Sequence, residues 1–261
     1  MIHNAEAFTL INGKNLYTEF VNEYKDRPVL VFLHDSLGST QLWRDFPHQL
    51  AAAVQCNVLI YDRLGYGKSD PMPTHERATN YMEAEADVLH EVLAKSGITD
   101  AILFGHSDGG TIALLIAAKY PENIKAVICE AGHIFVEDVT LKGIYEAMEA
   151  YKNTNLPQRL EKYHGDKTET LFRAWTETWT RPDYRDWNIE CFLSNITCPL
   201  LFIQGKNDEY GTMDQVDKTI NQVSGQSEKY IIPETGHTPH KEAPELTLKA
   251  AKSFIDSVLA D

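Results

Sequence analysis

Cysteine is scarce in this 261-residue chain: there are four, and Cys56, Cys129, Cys191 and Cys198 include no C-x-x-C pair. That spacing offers neither a zinc ribbon nor a dithiol redox motif. Three of the four sit in or beside apolar, strand-like runs, so buried free thiols in a reducing cytosol are expected. Positive charge is also short. Lys and Arg number 24 against 38 Asp and Glu, and the net charge of −14 repels phosphate backbones and anionic membrane surfaces. Neither nucleic acid nor a membrane is an expected partner. No stretch approaches the roughly eighteen uninterrupted apolar residues of a membrane span. The start, Met1-Ile-His-Asn-Ala-Glu, lacks the basic and apolar regions of a secretory leader, so a cytoplasmic location is expected. Internal repeats and low-complexity tracts are missing too. With 43% hydrophobic and 24% charged residues, the balance is that of an ordinary globular chain, long enough for one large α/β domain with a small insertion.

What is present is a rhythm. Residues 8–11 and 16–20 flank Asn12-Gly13, the signature of a type I′ β-hairpin and hence of an antiparallel start. Short apolar runs then alternate with helical patterns: 29–33, 42–54, 58–61, 81–93, 101–104, 112–118 and 124–129. Strands alternating with helices make right-handed βαβ units and a parallel sheet. The alternation resumes at 200–203, 216–223, 229–232 and 246–259. Between about 133 and 195 it breaks, because 144–151 and 170–179 have helical spacing with no strand between them. The spacing predicts a core from 1–132 and 196–261 with an all-helical insertion at 133–195.

Gly105-His106-Ser107-Asp108-Gly109 joins a predicted strand to a predicted helix. A G-x-S-x-G in that context forms a nucleophile elbow, in which the serine takes a strained conformation and presents its Oγ to solvent. The glycines are there because a Cβ two residues either side of Ser107 would crowd the crossing. A serine needs a base to take its proton, and the base needs an acid to fix its tautomer. Two further strand ends supply candidates: the run 200–203 leads into Asp208, and 229–232 leads into His237. Open α/β sheets place their sites at such carboxyl ends. Glu130, at the end of the sixth strand, is an alternative acid, and Glu209 adjoins Asp208. His34 and His106 flank the site and read as loop-holding residues. Gly67-Lys68-Ser69 lacks the earlier glycine of a P-loop, and His237-Thr-Pro-His240 lacks the helical context of a metal pair. Trp175 and Trp179 lie four apart and share a helix face, which is buried either in the insertion or along the substrate pocket.

Over nearly its whole length the chain resembles the α/β-hydrolase superfamily. Leu33-His34-Asp35-Ser36-Leu37-Gly38 stands where that family carries a His-Gly oxyanion loop, and Asp62-Arg63-Leu64-Gly65-Tyr66-Gly67-Lys68-Ser69 resembles its D-x-R-G-x-G-x-S loop. The resemblance implies a mostly parallel eight-stranded sheet flanked by helices, with a helical cap inserted after strand 6. It also implies an oxyanion hole from the backbone N–H groups of Ser36 and Asp108. Asp35 departs from the pattern, standing where the family usually has glycine, and aspartate reaches left-handed angles only at a cost.

The expected activity is cofactor-independent hydrolysis of a small carboxylic ester by a monomer or homodimer, with Ser107 as nucleophile, His237 as base and Asp208 as acid. Members of the superfamily with the same triad also cleave C–C bonds in vinylogous diketones, thioesters or lactones, and some retain it as small-molecule receptors. Steady turnover of a short p-nitrophenyl ester distinguishes an enzyme from a receptor, which turns over once and slowly.

Overall fold

The computed structural model describes residues 3–260; Met1, Ile2 and Asp261, at the ends of the segments 1–132 and 196–261, lie outside the described residues. The chain opens with β1 (His3–Ile11) and β2 (Lys14–Asn22), paired antiparallel through Ile11↔Lys14. Asn12 and Gly13 have φ of 49° and 75°, the two positive values that a type I′ turn demands. Next come β3 (Val29–Leu33), α1 (Phe46–Val54), β4 (Asn57–Tyr61), α2 (Tyr81–Lys95), β5 (Ala101–His106), α3 (Asp108–Lys119) and β6 (Ile124–Glu130). Four helices follow without an intervening strand: α4 (Asp138–Asn153), α5 (Leu156–His164), α6 (Thr168–Thr180) and α7 (Glu190–Leu193). The chain then returns to the sheet with β7 (Leu200–Gly205), α8 (Met213–Gln222), β8 (Ser227–Ile232), α9 (Pro239–Glu242) and α10 (Pro244–Ala260).

These strands make one eight-stranded sheet in the order β1-β2-β4-β3-β5-β6-β7-β8. From β4 to β8 the neighbours are parallel, and only β2 runs against the rest, pairing antiparallel with both β1 and β4. Strands β3, β4 and β5 are buried at every residue, as strands covered on both faces must be. Their side chains alternate between two cores. Leu103 and Ala101 face α2 and α3, whereas Ile102 and Phe104 face α1 and α10, which is the two-residue period of a strand. Among the described residues no helix is long and apolar enough to cross a membrane. All four cysteines are free, but only Cys56 and Cys129 are buried; Cys191, on α7, is exposed and Cys198 half-buried. The expectation of buried thiols therefore holds for two of them, since α7 turns Cys191 outward.

The step from β5 into α3 depends on contact with no room for a side chain. A Cβ on Gly105 would stand 2.1 Å from the Gly109 carbonyl oxygen, and one on Gly109 would stand 2.0 Å from that of Leu33. Both obstacles are backbone, so neither can rotate away. Gly109→Ala is therefore expected to cost about 3 kcal/mol or more, by forcing α3 off the sheet. Urea unfolding checks this, and an alanine variant as stable as the parent would contradict it.

Candidate active site

Ser107 sits between β5 and α3 with φ 55° and ψ −119°, outside the regions an L-residue adopts freely. Its N–H donates to the Glu130 carbonyl oxygen at 2.8 Å, and its own carbonyl accepts from Thr111 N–H at 3.1 Å. Both ends of the turn are thus held. Its Oγ lies 2.9 Å from Nε2 of His237, which the loop after β8 carries. On the other side of the ring, Nδ1 is 2.9 Å from each carboxylate oxygen of Asp208. Three segments far apart in sequence therefore form one hydrogen-bonded chain.

Asp208 is fixed from several directions. Its Oδ1 accepts from the N–H groups of Tyr210 (2.8 Å) and Gly211 (3.2 Å), and its Oδ2 accepts from Gln204 Nε2 at 2.8 Å. Burial works to raise its pKa, but the His237 charge and these donors outweigh it, and the carboxyl is held below its ordinary value. For His237 burial works in the opposite sense, and the facing Asp208 carboxylate prevails, so the imidazole pKa lies above 6.5. A carboxylate partner also fixes the tautomer: Nδ1 carries the proton and Nε2 is free to accept one from Ser107.

The two alternative acids are occupied elsewhere. Glu130, fully buried, accepts from both N–H and Nδ1 of His240, at 2.6 and 2.7 Å. Glu209 accepts from the backbone N–H of His237 at 3.2 Å, steadying the loop rather than the ring. His106 Nε2 donates to the His237 carbonyl at 2.8 Å, and His34 bridges Arg63 N–H and the Asp35 carbonyl. Both act as loop-holding groups. Among the described residues His106, Glu130 and His240 bring ligating atoms within 4.8 Å of one another, but the hydrogen bonds just given account for this cluster.

Ser36 lies in the loop after β3, and its N–H meets no protein acceptor among the described residues. Asp108 opens α3, so its N–H has no partner within the helix. Asp35 does not carry the left-handed backbone expected of it: among the described residues φ is positive at seven non-glycine positions, and Asp35 is not one of them. Space is critical at Gly38 instead, where a Cβ would meet Asp35 Oδ1 at 2.1 Å. The turn therefore accommodates aspartate at 35 because glycine stands at 38.

Above these groups is a cavity of about 610 Å³ lined by Ser36, Ser107, Asp108 and His237 at one end and by Ile144, Leu156, Trp175 and Trp179 from the helices between β6 and β7. Ser107 is only 7% exposed and borders this cavity. Both tryptophans are buried as well as lining the cavity. Trp175 packs near Tyr210, whereas Trp179 donates its Nε1–H to Tyr81 and packs against Tyr184 and Trp187. Sequence reasoning missed His133 and Tyr210, whose rings come within 5.7 and 4.8 Å of the His237 ring. His133 Nε2 donates to the Tyr210 carbonyl at 3.1 Å, a pairing across 77 residues that no local pattern announces.

Residues 28–194 match the model of the alpha/beta hydrolase fold. The chain is 28% identical to serine hydrolase BPHL of Homo sapiens over 95% of this chain and 86% of that one. It is 24% identical to a proline iminopeptidase of Saccharolobus solfataricus over 98% and 94% of the two chains. Among solved structures, MGS-M2, an alpha/beta hydrolase enzyme from a deep-sea metagenome library, superposes with a TM-score of 0.78 at 20% identity, covering 96% of this chain and 97% of that one. The chain belongs to the alpha/beta hydrolase fold family.

Proposed function

We propose that the protein is a serine hydrolase that cleaves a small carboxylic ester through Ser107, His237 and Asp208. The observation that carries this reading is the continuous hydrogen-bonded chain from Ser107 Oγ through His237 to Asp208, at the floor of a cavity whose walls mix apolar side chains with Thr140, Arg159 and Glu209. In the first step His237 Nε2 takes the Ser107 proton as Oγ attacks the ester carbonyl. Negative charge develops on the carbonyl oxygen, where the N–H groups of Ser36 and Asp108 stabilise it. The imidazolium, held by Asp208, then protonates the leaving alcohol. Water attacks the resulting acyl-enzyme by the same route, and His237 returns the proton to Ser107. Each proton passes through His237, from Ser107 to the leaving alcohol and then from water back to Ser107, so the proposed reaction calls on no cofactor and on no partner beyond a small-molecule ester and water.

Ile144, Leu156, Trp175 and Trp179 from α4, α5 and α6 favour an apolar acyl or alcohol group, with Thr140 and Arg159 of the same helices offering polar contacts beside it. Likeness to a proline iminopeptidase makes amide cleavage the second reading. A panel of p-nitrophenyl esters of varied acyl length, run beside prolyl p-nitroanilide, separates the two: ester turnover with a chain-length optimum supports the first, and anilide turnover alone supports the second.

Three outcomes follow for the ester assay. Ser107→Ala is expected to lower kcat by about 10⁴-fold or more while leaving the unfolding transition intact; near-parent activity would remove Ser107 from its role. Only neutral imidazole accepts a proton, so kcat/KM must fall as pH drops through the His237 pKa. Because Asp208 holds that pKa above 6.5, the acid limb of the pH profile should be centred above 6.5, and a limb centred below it would contradict the pairing. Trp175→Ala should reorder the acyl-length preference, whereas Trp179→Ala, which removes packing against Tyr184 and Trp187, should cost about 3–5 kcal/mol in denaturant unfolding. Unchanged preference in the first variant and unchanged stability in the second would reverse these assignments.

A further inference from the structure

Arg63 is fully buried, with its side chain 0% exposed, in the loop that follows β4. A guanidinium stays charged in any protein environment, and burying it is costly unless its donors and its charge are met. Among the described residues only Nη2 finds hydrogen-bond partners, while Nε and Nη1 are buried without one. Nη2 donates to the Asp35 carbonyl at 2.9 Å and lies 3.4 Å from that of His34. Nη1 stands 3.7 Å from the Asp108 carboxylate, which also accepts from Tyr81 OH at 3.3 Å. The guanidinium carbon lies over the Tyr66 ring, 4.6 Å from its centroid.

The Asp35 carbonyl belongs to the same peptide unit as the Ser36 N–H. In a trans peptide the two point in opposite directions, and no cis bond occurs among the described residues. Whatever fixes the carbonyl therefore aims the N–H. Three donors converge on this oxygen: Arg63 Nη2, His34 Nδ1 at 2.8 Å and Gly38 N–H at 3.2 Å. Arg63 controls the second donor too, because its own backbone N–H donates to His34 Nε2 at 3.1 Å. That contact makes Nε2 the acceptor, which leaves the proton on Nδ1. Burial and the Arg63 charge both hold the His34 pKa well below its ordinary value, keeping the ring neutral and this tautomer in place.

We propose that Arg63 is the positioning residue of the oxyanion hole, aiming the Ser36 N–H at the cavity through the Asp35 carbonyl and linking that peptide to Asp108, whose own N–H is the second donor. This rests on the reading of Ser36 and Asp108 given under Proposed function. The charge also matters for strength. A cation hydrogen-bonded to a peptide oxygen polarises the whole unit, so the opposite N–H becomes a better donor. A single guanidinium thus sets both the direction and the strength of one donor and is tied by charge to the residue that supplies the other. Lysine cannot do this, because a single ammonium lacks the planar fork that reaches the Asp35 carbonyl and the Asp108 carboxylate together.

The test compares the parent, Arg63→Lys and Asp108→Asn with p-nitrophenyl acetate, each normalised to the fraction of serine titrated by a fluorophosphonate. A purely structural role would lower the titratable fraction and the unfolding midpoint, yet leave kcat per titrated site unchanged. A positioning role lowers kcat per site in Arg63→Lys by roughly 10- to 100-fold, with KM within about twofold because ground-state binding does not use the hole. Unchanged kcat per site in a folded Arg63→Lys overturns the proposal. If that variant yields no titratable protein, Asp108→Asn decides: it keeps the backbone N–H and the side-chain shape but frees the guanidinium, and a fall of about threefold or more is expected, whereas parent kcat per site overturns the proposal. A parent that neither titrates at Ser107 nor turns over the ester would refute the underlying hydrolase reading, an outcome distinct from a change confined to the variants.

Discussion

Between β5 and α3 the backbone makes a turn that an L-residue does not adopt by preference, at a cost of about 1–3 kcal/mol. It persists because its surroundings leave no alternative. The Gly105 and Gly109 contacts bring α3 against β5 and β3 with backbone touching backbone, and the Ser107 N–H and carbonyl are both hydrogen-bonded. Everything in the site is set by this approach. It places Oγ within reach of His237 and brings Asp108, at the start of α3, and Ser36, in the β3 loop, to the lining of one cavity.

A second constraint is the burial of charge. Asp208 meets His237 together with three neutral donors, and Glu130 meets His240 through two hydrogen bonds. Each carboxylate is committed to one imidazole, so the two pairs do not compete for His237. Below them His106 joins the pairs mechanically, since its ring lies about equally far from those of His237 and His240, at 5.2 and 5.0 Å. The helices between β6 and β7 then line the cavity over the site, where Ser107 is largely buried. In that setting each hydrogen bond is electrostatically stronger than it would be in water.

Much of this could be read from the sequence. The G-x-S-x-G run, the alternation of strands and helices, and the positions of Asp208 and His237 at strand ends are local or periodic signals, and the fold reproduces each of them. Local signals could not decide between Asp208 and Glu130, because the partner that occupies Glu130 lies 110 residues away on α9. Nor could they show that Asp35 avoids left-handed angles, or that residues of α4, α5 and α6 line the cavity at Ser107, because both depend on how the chain packs. Arg63 stood within a recognised loop motif, but its importance lies in side-chain contacts with the β3 loop and with α3. Such contacts are properties of packing, and no periodicity encodes them.

The most direct measurement is mass spectrometry of the protein after reaction with a fluorophosphonate, in the parent and in His237→Ala. If Ser107 is the nucleophile activated by His237, the parent should gain a single adduct, confined to the peptide that contains Ser107, and the variant should react far more slowly. An adduct on another residue, or equally rapid labelling without His237, would contradict the account.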